Sequence, residues 1–341
     1  MGHRGGTRLP RIGRLAGLAV VTAIAITGCS GTNAIEPTDT ATPAPTTAAP
    51  AFPLTVTNCG VREVFAAPPK RVVTIKSSTL ELMLALGLGE RVIGSAFSDG
   101  PVPGVMAAAA AKIPVLSEKV PSQEAVLAAA PDLVFAGWES NLTAQGAGDR
   151  STLQQLGVAS YIAPSACKSR GYMPDPLTFD TVFDEITEAG AIFGVPDAAA
   201  ALVAEQRAAL AKVVPDASDR TAIWYSSGVA TPYVGGGIGA PAMIMKAAGL
   251  KNLAANVHDT WTSLSWELVA AANPDVIVLV DASWNTAASK QAFLESNPVT
   301  SQMTAVKNKR YLVVEFPASE AGVRNVAAVE SLVAQLAKLQ K

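Results

Sequence analysis

The chain has 341 residues, 49% of them hydrophobic, and a formal net charge of −2 at pH 7. This length exceeds what one hydrophobic core usually supports, which predicts two lobes. Residues 1–28 contain four arginines and no acid, so the rest of the chain has 22 basic residues (26 less 4) against 28 acidic ones, a net charge of −6. This acidic balance argues against nucleic acid as a partner.

The N-terminus has the pattern of an export signal. Four arginines precede the apolar run Leu15–Ile26, which is too short to span a bilayer, and small residues then lead to Cys29. Residues 1–28 are therefore predicted to be a lipoprotein signal peptide, with lipid attached to Cys29. An ordinary secretory signal with a chance cysteine is the alternative. Residues 29–52 are rich in Thr, Ala and Pro, which predicts a flexible linker.

Residues 53–177 are predicted to form an N-terminal α/β lobe, because apolar strands alternate with helical patterns. Strands are expected at Val72–Ile75, Arg91–Ser95, Leu133–Ala136 and Ser160–Ala163. Between the first strand and the next helix stand Lys76 and three hydroxyl residues. A helix start can hold an anion or polar ligand, and Ser78 or Thr79 is also expected to cap this helix.

Residues 178–215 are predicted to be an interlobe helical segment. The pattern is interrupted at Phe193–Asp197 and then continues as one helix over Asp197–Val214, about 27 Å long. A single stiff helix between two lobes permits little hinge motion and leaves a cleft between them.

Residues 216–341 are predicted to form a C-terminal α/β lobe, with strands at Ala222–Tyr225, Val276–Val280 and Arg310–Val314. The predicted fold is thus α/β, with two Rossmann-like lobes, parallel central sheets and one long connecting helix. No segment after the signal peptide is long and apolar enough to span a membrane.

Two stretches of the sequence, Gln123–Gly137 and Trp266–Asp281, share one pattern. In both, a glutamate begins a short helix, a Pro-Asp follows seven residues later and an apolar strand comes next, which relates Glu124 to Glu267. The repeat predicts two lobes of similar construction. An acid in a first helical turn is favourable with the helix dipole by itself, by about 0.3–1 kcal/mol. The pair also places one carboxylate on corresponding surfaces of the two lobes.

In parallel α/β sheets, ligands bind at the loops beyond the carboxyl ends of the strands. Four of the five tryptophans fall in or beside such loops, at positions 138, 224, 261 and 284, and cations recur there. Each ring could instead pack a loop against its lobe, and each cation could be solvated. Together they favour a flat, anionic ligand. The predicted ligand-binding residues are Lys76, Ser77, Ser78, Trp138, Glu139, Ser165, Lys168, Tyr172, Tyr225, Ser226, Tyr233, Trp261, Trp284 and Arg324.

Catalytic patterns are weak. Ser165 and Lys168 have the S-x-x-K spacing of serine acylases, but the companion motifs are absent. His258 is the one histidine after the signal peptide, so neither a zinc site nor a serine triad has its usual residues. We expect no catalytic activity, metal or cofactor, with a cell-surface serine hydrolase as the alternative from another class. Cys59 and Cys167 form an even pair in an exported chain, which predicts a disulfide; two buried free thiols are the alternative.

The stretches Arg71–Gly94, Pro121–Gly137 and Asn273–Asp281 resemble the substrate-binding lipoproteins of ABC importers. The similarity is to the rigid two-lobe class that takes iron–siderophores, haem and cobalamin, and it covers roughly Leu54–Lys341. Within that class, motifs such as "YVGGGIGAPAMIMKAAGL" are similar to an actinobacterial subgroup proposed to import a deazaflavin phospholactate, a precursor of coenzyme F-420.

The resemblance implies a monomer that is lipid-anchored to the outer face of the cytoplasmic membrane. It would deliver a small molecule to a permease dimer with its ATPase subunits. Glutamates at the two related helix starts meet permease arginines in that class, which assigns docking to Glu124 and Glu267. Siderophore and cobalamin relatives usually have a proline-containing serine loop after the first strand. Lys76 stands there instead, which favours an anionic ligand; an iron–siderophore, haem or cobalamin is the alternative ligand.

Overall fold

The computed structural model describes Gly2 and residues 51–339 of the chain. Apart from Gly2, the predicted signal peptide, Cys29 and the linker as far as residue 50 lie outside these residues. We use the names N-terminal lobe for residues 53–177, connector for residues 178–215 and C-terminal lobe for residues 216–339.

The N-terminal lobe is built on a parallel sheet with the strand order β5-β4-β3-β6-β7. Its central strands β3 and β6 are buried at every residue, as expected for parallel strands covered on both faces. An antiparallel hairpin of β1 and β2 precedes the sheet. The elements in chain order are β1 Leu54–Asn58, β2 Val61–Phe65, β3 Val72–Ile75, α1 Ser77–Ala85, β4 Val92–Ala96, α2 Gly104–Ala110, β5 Val115–Ser117, α3 Gln123–Ala128, β6 Leu133–Ala136, α4 Arg150–Gln155 and β7 Ala159–Ile162.

The connector contains helix α5, Phe179–Ile192, and helix α6, Pro196–Leu210, which pack against each other. Thr178 caps α5 by accepting a hydrogen bond from the Thr181 amide. The prediction of one helix as far as Val214 was wrong at its end. Val214 precedes Pro215, and a residue before proline is disfavoured in the helical conformation. Helix α6 is therefore about 22 Å long.

The C-terminal lobe has a mixed sheet with the order β11-β9-β8-β12-β13. Strands β8, β12 and β13 are parallel, whereas β9 and β11 are antiparallel to their neighbours. The elements in chain order are β8 Thr221–Ser227, β9 Tyr233–Gly235, α7 Ala240–Ala247, β10 Lys251–Asn252, β11 Trp261–Ser263, α8 Trp266–Ala272, β12 Val276–Asp281, α9 Ala287–Ser296, α10 Thr304–Lys307, β13 Tyr311–Glu315 and α11 Asn325–Lys338.

The long apolar strands lie within one or two residues of their predicted positions, and β3 and β6 match them at both ends. The β1–β2 hairpin and strands β5, β9, β10 and β11 were not predicted. Most of these are three residues or shorter, or alternate polar with apolar residues at a sheet edge, so they carry little continuous apolar signal. None of the helices in residues 51–339 is long and apolar enough to cross a membrane.

A disulfide joins Cys59 and Cys167, with Cα atoms 5.3 Å apart and both cysteines buried. Cys59 lies in the turn between β1 and β2, and Cys167 lies in the loop after β7. This is the pairing that the cysteine count predicts. It anchors the loop that begins at Pro164 to the hairpin at the start of the lobe.

Candidate functional site: a cavity between the lobes

A cavity of about 710 Å³ lies between the two lobes, at the carboxyl ends of their parallel strands. Trp138 follows β6 and Ser165 follows β7 on the N-terminal side. Trp284 follows β12 and Phe316 follows β13 on the C-terminal side. The volume of the cavity is within the usual range for small-molecule sites, roughly 300–1,000 Å³. The two sheets therefore place their loops around one site, as the strand pattern predicts.

Aromatic rings form much of the cavity wall. Tyr233 and Trp261 stack with their centroids 5.9 Å apart and their planes 16° apart. Trp284 and Phe316 form an edge-on pair with centroids 5.7 Å apart. Trp138 lines the same cavity from the N-terminal lobe. Flat rings in two walls suit a flat ligand, because stacked and edge-on pairs contribute about 0.5–1.5 kcal/mol beyond area burial.

Hydroxyl groups line the remainder of the cavity, from Ser78, Ser140, Thr143, Ser165, Ser226, Ser227, Thr260 and Ser319. The hydroxyl of Ser319 is buried without a hydrogen-bond partner, as is Oε1 of the neighbouring Glu320. Burial raises the pKa of the Glu320 carboxyl, and the nearby Lys76 ammonium and a hydrogen bond from Trp138 oppose this shift. The wall thus combines rings with groups that can hydrogen-bond a polar side chain of a ligand.

Lys168 connects the two lobes at the cavity wall. Its Nζ donates to Asp259 Oδ1 at 2.5 Å and to Thr260 Oγ1 at 2.6 Å, both in the C-terminal lobe. The lysine and aspartate side chains are 48% and 46% exposed, so this ion pair is in contact with solvent. Its backbone amide donates to Glu139, as do the amide and hydroxyl of Ser169. Burial alone would raise the pKa of Glu139, but these hydrogen bonds lower it.

Lys76 does not line the cavity, contrary to the prediction of a ligand contact. Its side chain is 1% exposed and its ammonium pairs with Asp99, in the loop after β4. Burial lowers the pKa of Lys76, partly offset by the charges of Asp99 and Glu320. The amine lies over the rings of Trp138 and Phe316, which do line the cavity. Lys76 is therefore behind the wall rather than in it.

Arg324 is also engaged by protein groups. Its Nε donates to Glu81 Oε2 at 2.7 Å, and a terminal nitrogen donates to the other oxygen of the same carboxylate. A further bond reaches Glu315 at 2.6 Å. Burial raises the pKa of Glu81, and the hydrogen bond and charge of Arg324 oppose that shift. The predicted clamp of Lys76 and Arg324 on an anion does not match these placements, because both cations are neutralised by carboxylates.

Comparison with known proteins identifies the family. A family profile described as "Periplasmic binding protein" matches residues 72–318, which span both lobes and the connector. The chain belongs to the periplasmic binding protein family.

Relatives of known sequence and structure agree with this family assignment. The chain is 30% identical over 305 residues to a cobalamin-binding protein of Halobacterium salinarum, covering 86% of this chain and 76% of that protein. It is 25% identical over 289 residues to an uncharacterized ABC transporter substrate-binding lipoprotein of Bacillus subtilis, covering 82% and 84%.

Solved structures resemble the fold closely. An ABC-type Fe3+-hydroxamate transport system from Saccharomonospora viridis gives a TM-score of 0.74 at 29% identity, covering 84% of this chain and 99% of that one. A periplasmic heme-binding protein from Roseiflexus gives 0.64 at 22% identity, a likeness of fold alone. The predicted α/β class with parallel central sheets is confirmed.

The other predicted ligand residues fall into two groups in this periplasmic binding protein. The cavity wall contains Ser78, Trp138, Glu139, Ser165, Lys168, Ser226, Tyr233, Trp261 and Trp284. Ser77 is buried and accepts a hydrogen bond from the Asp99 amide at 2.8 Å. Tyr225 is buried with its hydroxyl on the Gly228 carbonyl, and burial raises its pKa to about 12. Tyr172 is outside the wall and 47% exposed.

Two further sequence expectations differ from the structure. Neither Ser78 nor Thr79 caps α1; Lys76 occupies the N-cap position, and the Thr79 hydroxyl donates backwards to the Ile75 and Lys76 carbonyls. Trp224 lies in β8 with no exposed surface, because its side chain faces the core beneath the sheet. Local pattern does not distinguish the two faces of a fully buried strand.

The predicted ligand residues did not include Phe316 and Glu320, which line the cavity, or Asp99 and Asp259, which are the partners of the lysines. Phe316 and Glu320 follow the last parallel strand, so their position after that strand was a usable signal. The pairing of Asp99 with Lys76 and of Asp259 with Lys168 has no such signal, because the partners are distant in sequence.

Ser165 and Lys168 do not form a catalytic pair in this structure. The Lys168 amine is bonded to Asp259 and Thr260, whereas Ser165 hydrogen-bonds Glu185. Within residues 51–339 no group of three or more His, Cys, Asp or Glu side chains could hold a metal ion.

Glu124 and Glu267 occupy equivalent places in the two lobes. Each is the second residue of a short helix, α3 or α8, whose N-cap serine accepts a hydrogen bond from the amide three residues on. Both side chains are exposed. The helices lead into β6 and β12, which neighbour the corresponding strands β3 and β8.

Proposed function

We propose that this periplasmic binding protein is the lipid-anchored solute-binding component of an ABC importer. It captures a flat, cofactor-like ligand in the cavity between the lobes and delivers it to a permease. The observation that carries the proposal is the combination of ring pairs and hydroxyls around one cavity of about 710 Å³. The family and the names of its relatives support solute binding rather than catalysis.

The ligand we propose is a deazaflavin phospholactate. Its flat ring system would stack between Trp138 and the Tyr233–Trp261 pair, and its hydroxylated chain would bond the wall serines. Its anionic end would meet Lys168, with the ligand replacing Asp259 as the partner of the ammonium. This exchange costs little, because a half-exposed ion pair contributes only about 0–1 kcal/mol.

A corrinoid is the second candidate. The relative from Halobacterium salinarum, which shares 30% identity, is named a cobalamin-binding protein. In addition, Lys168 is the one cation among the described wall residues, and it is already paired. A neutral ligand with many amides would leave that ion pair intact.

Calorimetry on the mature chain distinguishes the candidates. We expect binding of the deazaflavin phospholactate with an affinity at least tenfold tighter than that of cobalamin or a ferric hydroxamate. Lys168→Ala should weaken the deazaflavin by about tenfold, since charge-assisted bonds contribute roughly 1.5–3 kcal/mol, and should leave cobalamin unaffected. Tight binding of cobalamin alone would reject the deazaflavin and retain the importer role. Native mass spectrometry of protein from its own host tests the same choice without a chosen ligand.

We also propose that Glu124 and Glu267 dock the protein on its permease. A two-fold permease dimer presents matching patches, and one exposed carboxylate at the same place in each lobe fits such a surface. Glu124→Ala with Glu267→Ala should leave ligand affinity unchanged and strongly reduce uptake by the reconstituted importer. Substituting Glu90 and Glu330, two acids outside the related helix starts, is the matched control. Normal uptake by the double variant would limit both glutamates to stabilising their helices.

Lipid attachment at Cys29, export and a monomeric state complete the proposal. The basic and apolar N-terminal segments and the name of the Bacillus subtilis relative support the anchor. Metabolic labelling with a palmitate analogue should mark the wild-type protein and not the Cys29→Ala variant.

A further inference from the structure

Lys76 has an unusual backbone. Its φ of 86° and ψ of 152° lie in a region that L-amino acids rarely adopt, and glycine is the residue that ordinarily occupies it. The surrounding structure holds it there: its amide donates to the Ala96 carbonyl at 3.0 Å, and its carbonyl accepts from the Thr79 hydroxyl at 3.0 Å. A lysine at such a position indicates that its side chain is required.

That side chain ends in a cage of aromatic rings. The ammonium lies 3.5 Å from the centroid of Trp138, 4.2 Å from that of Phe97 and 5.1 Å from that of Phe316, and it forms an ion pair with Asp99. With 1% of the residue exposed, the ammonium itself is out of reach of a ligand.

Trp138 contacts this cation and also lines the cavity. Its indole N–H donates to Glu320 Oε2 at 3.0 Å, its amide donates to Asn141 Oδ1 at 3.0 Å, and Phe97 packs edge-on at 5.6 Å. The ammonium covers one face of the indole, so a ligand can contact only the remaining surface of that ring. The indole is thus held on several sides before a ligand arrives.

We infer that Lys76 is a specificity-determining positioning residue that acts through Trp138. It holds the indole in the wall and selects flat anionic or electron-rich rings over flat cationic ones. A cation on one ring face draws electron density toward itself, which makes the opposite face less attractive to a second cation. The inference rests on the proposed function only in taking the cavity as the ligand site.

The test compares two three-ring dyes of similar shape and opposite charge, with no need for the native ligand. Resorufin is a flat anion above neutral pH, and thionine is a flat cation. We expect the mature wild-type protein to bind resorufin at least about tenfold more tightly than thionine, because a desolvated cation–π contact is worth about 2 kcal/mol. In Lys76→Met/Asp99→Asn, which keeps the net charge, the preference should fall below about threefold.

The matched control removes a different buried ion pair. Glu63 and Arg150 are 4% and 11% exposed and lie outside both the cage and the cavity wall. Glu63→Gln/Arg150→Met should lower thermal stability and keep the dye preference, which separates the role of Lys76 from general destabilisation. An unchanged preference in the Lys76 double variant overturns the inference, as does failure of the wild type to bind either dye.

A second measurement does not depend on folding of any variant. In about 1 M salt, exposed charges are screened beyond about 3 Å, whereas a buried ammonium is screened much less. The wild-type preference for resorufin should persist in that salt. Loss of the preference would assign it to exposed groups such as Lys168 and overturn the inference. Equal dye affinities with tight deazaflavin binding reject only the role of Lys76; discrimination between dyes without deazaflavin binding rejects only the proposed ligand.

Discussion

Arg324 and Lys168 both connect the lobes by an ion pair, in very different surroundings. Arg324 bonds both oxygens of Glu81, and the two side chains are 10% and 1% exposed. Lys168 makes one bond to Asp259, and both side chains are about half exposed. Because the Arg324–Glu81 pair is buried, removing one partner leaves the other charge without solvent and is costly. In the exposed Lys168–Asp259 pair, solvent can replace either partner. The comparison suggests one fixed connection between the lobes and one that a ligand can release.

The disulfide offers the largest test of this contrast, because Cys167 precedes Lys168 and anchors its loop. The bridge closes a loop with a sequence separation of 108 residues. Cys59→Ser/Cys167→Ser should therefore lower the free energy of unfolding by about 4–5 kcal/mol in the chain-entropy model. Urea denaturation measures the loss, and reduced wild type should match the variant. Equal midpoints for oxidised wild type and variant would show that the bridge is absent in the exported protein.

Removing one partner of the buried Arg324–Glu81 pair should have the next largest effect on the free energy of unfolding. Arg324→Met leaves the Glu81 carboxylate buried without its partner, which should cost about 3–5 kcal/mol. The double variant Arg324→Met/Glu81→Gln should lose less than the single one, because no charge is left unpaired. Urea denaturation of both variants measures the difference. If the double variant lost as much as the single variant or more, the fixed connection would depend on packing rather than on the ion pair.

A third test uses pH at the place where the connector meets the C-terminal lobe. Glu185 lines a small cavity of about 20 Å³ together with Ala321 and Gly322 of the C-terminal lobe, and its Oε1 is enclosed without a partner. Burial raises its pKa to about 8. The native state therefore holds this proton longer than the unfolded chain, so the stability contributed by the neutral form is full below the unfolded pKa and is lost as pH rises toward 8.

Within that window the slope from this group should be about −1.4 kcal/mol per pH unit. Glu185→Gln, which cannot ionise, should remove this slope and be more stable than the wild type above pH 8. Thermal denaturation of both proteins at a series of pH values below and above 8 measures this slope. The same slope in both proteins would assign the pH dependence to other groups.

The smallest effect on stability is expected at the exposed pair. Lys168→Ala should change the free energy of unfolding by less than about 1 kcal/mol, because water solvates Asp259 in its place. The variant should also release bound ligand faster, as measured by stopped flow. A loss as large as that of Arg324→Met would remove the distinction between the two connections.

Much of the fold could be predicted from local pattern. Strands β3, β6, β8 and β12 are rich in apolar residues, and their alternation with helices indicates parallel sheets from the sequence alone. The cavity lies at the strand ends because parallel strands bring their following loops to one edge. For the same reason Trp138, Ser165 and Trp284 could be placed around one cavity from their positions after strands.

The states of the charged residues were decided by tertiary structure alone. Lys76, Lys168 and Arg324 have the residue type and the loop position of anion-binding groups, and the sequence predicted that role for all three. The fold instead pairs Lys76 with Asp99, 23 residues away, and Arg324 with Glu81, 243 residues away. Periodicity describes which face of an element is apolar, but it contains no information about which distant carboxylate will approach a given cation. A cation's availability to a ligand depends on that approach and on burial, because the buried pair of Arg324 with Glu81 is costly to break, whereas the exposed pair of Lys168 is not.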